Sequence, residues 1–243
     1  MGLSERLLSV AMMVTPGLSV ADVGCDHGYL AIHLIRNNIV PHVIAMDINK
    51  GPLERAKTNI IQAGLTDSIE LRLSNGLKEL DVNEVDSIVM AGMGGPLMVD
   101  IMKAGAKICE GAKELILQPQ SEIDTVRRYL EEAHYCIVSE DMVYEDGKYY
   151  PMMKAVHGEM KLSKEIYYRY GKILIMEEHP VLRQYLRYEK NQLLAIKEGL
   201  LQSEQTDKVL DRIKEITDDI TIAEAAISES DRLDPVAIDR VIK

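Results

Sequence analysis

The stretch "VADVGCDHGYLAIHL" (residues 20–34) decides how the rest of the chain is read. An apolar run enters a turn holding Gly24 and Gly28, and an amphipathic segment leaves it. That order, strand then glycine turn then helix, is how nucleotide-binding folds bring backbone N–H groups up to a ligand. The phosphate-binding form of the turn needs G-x-G-x-x-G, yet here Asp26 stands in the turn and Asp22 just before it. Two carboxylates repel a pyrophosphate. A ligand that keeps the adenosine but is cationic fits better, and S-adenosylmethionine, with a sulfonium and an ammonium, is such a ligand.

Outward from this turn, residues 18–158 alternate short apolar runs with amphipathic stretches, the pattern of a parallel sheet covered by helices. Strands are expected at 18–23, 42–47, 69–73, 85–92 and 114–119, with helices at 28–37, 51–63, 96–104 and 122–132. Several of these strands are apolar at every position, as a sheet buried on both faces requires. Ser4 is positioned to cap a preceding helix over "SERLLSVAMMV". From residue 135 two further runs flank Asp146-Gly147, a hairpin signal. Five parallel strands plus this antiparallel hairpin predict a seven-stranded α/β sheet of doubly wound, Rossmann-like type over residues 1–160.

Beyond residue 160 the strand signal ends. Val209, Ile213, Ile216, Ile220, Ala223 and Ile227 recur at heptad spacing, and Leu182, Leu186, Leu193, Ile196 and Leu200 continue it upstream. The break at 203–207 predicts an antiparallel coiled-coil hairpin within a helical domain over 161–243. A short last helix is expected from Asp234-Pro235.

The other strand ends carry the remaining chemistry. Asp47, closing the second strand, is placed to accept from both ribose hydroxyls. Asn75-Gly76 follows the third strand, where an adenine amine would lie. Ala91, Gly92, Met93 and Gly94 form "AGMGG" with Gly95 at the fourth strand end; three glycines in four positions there exceed what tight helix packing alone explains. This place lacks the Asn/Asp-Pro-Pro-aromatic pattern of enzymes that methylate exocyclic amines, so a ring nitrogen, oxygen or carbon acceptor is preferred. His27 is read as a cofactor contact or a structural donor. Tyr29 stacks on the target base, covers the cofactor or fills a helix face. Gln118, ending the fifth strand, lies on the substrate side. Arg6 is a possible donor to the methionine carboxylate.

Together, "DVGCDHGYL" (22–30), "AGMGG" (91–95), "LILQP" (115–119), "EDGKYY" (145–150) and the heptad-rich tail resemble the bacterial tRNA (adenine-22-N1)-methyltransferase family across nearly the whole chain. Two positions depart from the resemblance: "SNG" (74–76) lacks an acidic residue before the glycine, and Asp47 stands where some relatives have Glu. The resemblance implies a class I fold that moves the methyl of S-adenosylmethionine to N1 of an adenine in the D-arm region of tRNA. N1 has an in-plane lone pair, so no base has to remove a proton first. Asp26 is then the catalytic candidate, either stabilising the positive charge on the methylated base or holding its N6 amine, with a helix cap as its structural alternative. Another RNA base or a small molecule is the alternative acceptor, and a non-catalytic RNA-binding adaptor is the alternative class.

The net charge of −11 weighs against a nucleic-acid partner until its distribution is examined. Residues 1–159 carry −9, whereas residues 161–197 carry +4. Arg183, Arg187 and Lys190 fall at i, i+4 and i+7, on one helix face with Tyr185 and Tyr188 interleaved, and are the expected phosphate contacts for tRNA. Three scattered cysteines argue against a disulfide framework or a closed zinc site, so no metal is expected. No run reaches the length of a membrane span, and the N-terminus has no signal-peptide order. A cytoplasmic protein, monomeric or weakly dimeric, is expected.

Overall fold

The computed structural model describes residues 2–204 and 206–232, so the helix expected from Asp234-Pro235 lies outside the described residues. The chain divides into two compact units, Met1–Lys161 and Leu162 onward. Along the first run α1 (Glu5–Met13), β1 (Val20–Val23), α2 (Tyr29–Arg36), β2 (Val43–Asp47), α3 (Lys50–Ala63), β3 (Ile69–Leu73), β4 (Ser87–Met93), α4 (Gly95–Ala104), α5 (Ala106–Gly111), β5 (Glu114–Pro119), α6 (Ile123–Glu132), β6 (Tyr135–Glu145) and β7 (Lys148–His157). The strand order is β3-β2-β1-β4-β5-β7-β6, parallel except for β7, which runs antiparallel to both neighbours. The short helix α5 has no counterpart in the sequence expectations; at six residues it is too brief for a helical period to emerge.

Alternate residues of the central strands explain the layering. Ala21, Val23, Ile44, Met46, Ile88, Met90, Leu115 and Leu117 pack on one side with Met98 and Met102 of α4 and Val126 and Leu130 of α6. Val20, Val43, Ala45, Val89 and Ile116 pack on the other with Val10 of α1, Leu30 and Leu34 of α2, and Ala56 and Ile60 of α3. A two-residue side-chain period thus fills two apolar layers, and the strands must be apolar throughout. Ser4 caps α1, its Oγ accepting from the Leu7 N–H.

The second unit holds α7 (Glu165–Tyr170), α8 (Lys172–Met176), α9 (Pro180–Leu201) and α10 (Asp207–Arg232). Pairing of Arg183 with Asp231 and of Lys190 with Glu224 shows α9 and α10 to be antiparallel. Leu182, Leu186, Ile216, Ile220, Ala223 and Ala226 are buried, together with Ile166, Tyr167 and Tyr170 of α7 and Leu174 and Ile175 of α8. The seam is therefore closed at one end and open at the other. Ile196, expected in the seam, is 46% exposed, a correction: Leu193 and Lys197 face inward more than it does, because the step after Leu193 is four residues, not three.

Candidate active site at the carboxyl ends of the strands

The turn between β1 and α2 is unusually constrained. Gly24, Asp26 and Gly28 all have positive φ (79°, 47° and 72°). The Gly24 and Cys25 N–H groups both donate to the Met46 carbonyl of β2 at 2.8 Å, and the Gly28 N–H donates to the Cys25 carbonyl. A Cβ on Gly24 would lie 2.3 Å from the Met93 methyl, and one on Gly28 would lie 3.2 Å from Ala56 Cβ. Both positions favour glycine by their positive φ, and at Gly28 the close approach of α3 adds to it, whereas the Met93 methyl at Gly24 ends a flexible side chain.

Asp26 is not a helix cap. Gly28 occupies the N-cap of α2, and no side chain bonds there. The Asp26 side chain is instead 62% exposed, with His27 Nε2 and Arg55 Nη2 each 3.5 Å away. Asp is among the few residues with a Cβ that adopt a left-handed φ readily, so its type suits a turn that holds this carboxylate out. His27 stacks parallel to Tyr29, with ring centroids 5.4 Å apart, and its carbonyl accepts from Asn59 Nδ2 at 2.9 Å. Arg55 and Asn59, both on α3, carried no signal in the sequence, because they meet the turn across about 30 residues of chain.

Asp22 sits at the opposite extreme. It is buried inside β1, and its Oδ2 has no hydrogen-bond partner among the described residues. Desolvation, and then the neighbouring charge of Asp47, push its carboxyl up to about 7. A buried carboxylate oxygen without a donor is costly and rare, and a cationic or N–H-bearing ligand is what would satisfy it. Asp47, also buried, accepts from the Asn49 N–H through Oδ1 at 2.8 Å. Ser74 holds the next turn: its N–H donates to the Asp47 carbonyl and its hydroxyl to the Gly76 carbonyl, leaving Asn75 exposed.

At the end of β4 each glycine has a local cause. Gly92 has φ 81° at the register shift between Ala91 and Met93. Gly94 is the N-cap of α4, and a Cβ there would lie 3.1 Å from Ser121 Oγ. A Cβ on Gly95 would lie 2.4 Å and 2.6 Å from the Glu122 and Ser121 carbonyl oxygens. The expectation that packing explains one of these glycines is corrected to two: backbone conformation accounts for Gly92 and backbone contact for Gly95, whereas Gly94, at φ −67°, meets only the Ser121 hydroxyl.

Gln118 needs a second correction. It is fully buried; its Oε1 accepts from Arg6 Nη1 at 2.8 Å and from the Gly92 N–H at 3.1 Å, and its Nε2 donates to the Pro119 carbonyl. Such a side chain ties the "AGMGG" turn to α1, and its amide is engaged by these partners within the fold. Arg6, half-buried, is tied to Gln118 and lies over the Tyr150 ring at 5.5 Å. Among the expected tRNA contacts of the second unit, Arg183 is paired with Glu178 at 2.8 Å and Lys190 with Glu224 at 2.8 Å, while Arg187 is exposed. Among the described residues, Arg187 is the member of this expected row that makes no ion pair.

Among the described residues no cluster of His, Cys, Asp or Glu could hold a metal ion, and no helix is long and apolar enough to cross a membrane.

Residues 3–153 match the methyltransferase domain family. The chain is 31% identical to the tRNA (adenine(22)-N(1))-methyltransferase of Bacillus subtilis (strain 168) over 93% of its own length and 97% of that protein. The chain belongs to the tRNA (adenine(22)-N1)-methyltransferase family. The crystal structure of the Bacillus subtilis member superposes with a TM-score of 0.83 at 31% identity, covering 93% of this chain and 99% of that one. Streptococcus pneumoniae Sp1610, solved in complex with S-adenosyl-L-methionine, also gives 0.83 at 31% identity, covering 93% of this chain and all of that one. Membership spans both the sheet and the helices after it, so the tail is part of the family's architecture.

Proposed function

We propose that this chain transfers the methyl group of S-adenosylmethionine to N1 of adenine 22 in tRNA. The observation that carries the reading is the unpartnered, buried Asp22 carboxylate at the base of a glycine turn, a site that fits a cation and rejects a phosphate. The cofactor supplies an electrophilic methyl on a sulfonium and leaves as a neutral thioether.

Asp22 holds the ammonium and Asp47 the ribose hydroxyls, with Asn75 and Gly76 beside the adenine and Ala91, Gly92 and Met93 along the opposite rim. Gly24 and Gly28 give the backbone its close approach, with His27 between them. Adenine N1 attacks through its in-plane lone pair, so no proton moves before the carbon–nitrogen bond forms. Positive charge passes from sulfur to the base. Asp26, exposed beside this turn, stabilises that charge or holds the N6 amine, and Arg55 and His27 keep its carboxylate oriented. Tyr29 and Gly94 contribute to the substrate face. Because N1 lies on the pairing edge, the adenine must leave its pair before it reacts. In the helical domain, Arg187 is the contact to tRNA phosphates, and Arg183 and Lys190 hold the helix that presents it.

Asp26→Ala tests this division of labour. Turnover should fall by about 100-fold or more, in the range of a lost electrostatic contact in a transition state, while calorimetry shows cofactor affinity within about threefold. Equal losses in both would make Asp26 a binding residue only.

A further inference from the structure

A pocket of about 440 Å³ lies in the groove between α2 and α3, beside the N-terminal lead into α1. Tyr29, Ile32, His33, Arg36, Asn59 and Gln62 line it. Three features set it apart from the surrounding surface. First, no carboxylate lines it, although residues 1–159 carry a net charge of −9. Second, Arg36 is exposed and makes no ion pair among the described residues. Third, two of its lining residues adjoin the active-site turn: Tyr29 follows Gly28 and stacks its ring on His27, and Asn59 holds the His27 carbonyl.

The chemistry of the walls is that of a single-stranded ribonucleotide site. Tyr29 offers an aromatic face for a base. Asn59 and Gln62 carry amides that both donate and accept, as base edges and a 2′-hydroxyl require. His33 and Arg36 lie in the last turn of α2. Asn37 Nδ2 lies 3.3 Å from His33 Nδ1 and donates to the His33 carbonyl, so a neutral His33 ring carries its proton on Nε2 and remains a donor. From Tyr29 to Arg36 the helix rises about 10 Å, enough to separate a stacked base from a phosphate beyond it. A volume of this size falls within the span of about 300–1,000 Å³ typical of small-ligand sites.

We infer that this pocket is a subsite for the nucleotide adjoining the target adenine, its base on Tyr29 and its phosphate held by Arg36 and His33. The inference rests on the tRNA reading above and extends it to a defined surface. Occupying the pocket would keep a displaced adenine from returning to its pair, because the neighbouring residue is anchored outside the duplex.

The test uses the full chain and unmodified tRNA carrying 4-thiouridine or 5-bromouridine beside adenine 22. Ultraviolet cross-linking followed by mass spectrometry should label the peptide holding residues 29–36. In parallel, Arg36→Gln should raise KM for tRNA several-fold, lower the slope of binding against log salt by about one, and leave the Kd for S-adenosylmethionine unchanged. Tyr29→Phe should retain binding, whereas Tyr29→Ala should weaken it by about tenfold, as for a lost stacking platform. If the wild-type protein methylates adenine 22 but cross-links only elsewhere and Arg36→Gln has unchanged tRNA kinetics, the subsite is wrong and the functional reading survives. Cross-linking at 29–36 without methylation of adenine 22 would retain the subsite and overturn the functional reading. Absence of any tRNA binding would overturn both.

Discussion

At the residue scale, the two turn carboxylates share a sequence neighbourhood and have opposite physics. Asp22 is buried, without a partner on one oxygen, and pushed up to about 7, while Asp26 is held out in solvent on a left-handed backbone. The raised carboxyl has a defined sign. Because the folded protein binds the Asp22 proton more tightly than the unfolded chain does, its contribution to stability is full below the unfolded value of 3.8 and is lost as pH rises through about 7. A bound ammonium favours the charged carboxylate, so cofactor affinity should fall by up to about tenfold for each pH unit below 7. Binding at about pH 6 should release close to one proton. Calorimetry in two buffers of different ionisation enthalpy would read that proton, and Asp22→Asn should abolish the difference. A wild-type enthalpy independent of buffer at this pH would contradict the assignment of Asp22.

At the element scale, much of the sheet was legible because two simple periods write it: all-apolar strands for a sheet covered on both faces, and the Asp-Gly turn for the hairpin. What escaped was set by contacts distant in sequence. Nothing near Gln118 tells that its amide meets Arg6 and Gly92, and nothing near Arg55 tells that it faces Asp26. The glycines of "AGMGG" were misjudged for the same reason. At Gly95 the cause is the carbonyl pair of Ser121 and Glu122, in the loop after β5, which no local pattern announces. Gly95→Ala should therefore displace α4 from that loop and destabilise the protein by about 1–3 kcal/mol, as overpacking does. A thermal melt would show it. A melting temperature equal to wild type would mean that the loop yields freely and that the close approach has no structural role.

At the scale of the whole molecule, an acidic catalytic unit is joined to a helical unit in which several basic residues pair with carboxylates of the same unit. Arg169 pairs with Glu189 and Asp219, Arg183 with Glu178, and Lys190 with Glu224, so these members of the +4 segment face carboxylates of their own unit while Arg187 is exposed. The two arginines once grouped together should consequently behave differently. Arg187→Glu should weaken tRNA binding and reduce its salt dependence while leaving the melting temperature within about 2 °C. Arg183→Glu should lower the melting temperature, because it sets a third carboxylate beside Glu178 and Asp231. Identical effects of both on tRNA binding, with no change in stability, would restore the picture of one phosphate-facing row. The central claim is the reaction itself, and a methylation map tests it most directly. Unmodified tRNA incubated with the full chain and S-adenosylmethionine, then probed by reverse transcription, should give one new stop, at adenine 22, absent when the cofactor is omitted. A stop at another base, or methyl transfer to the tRNA with no stop at adenine 22, would contradict it.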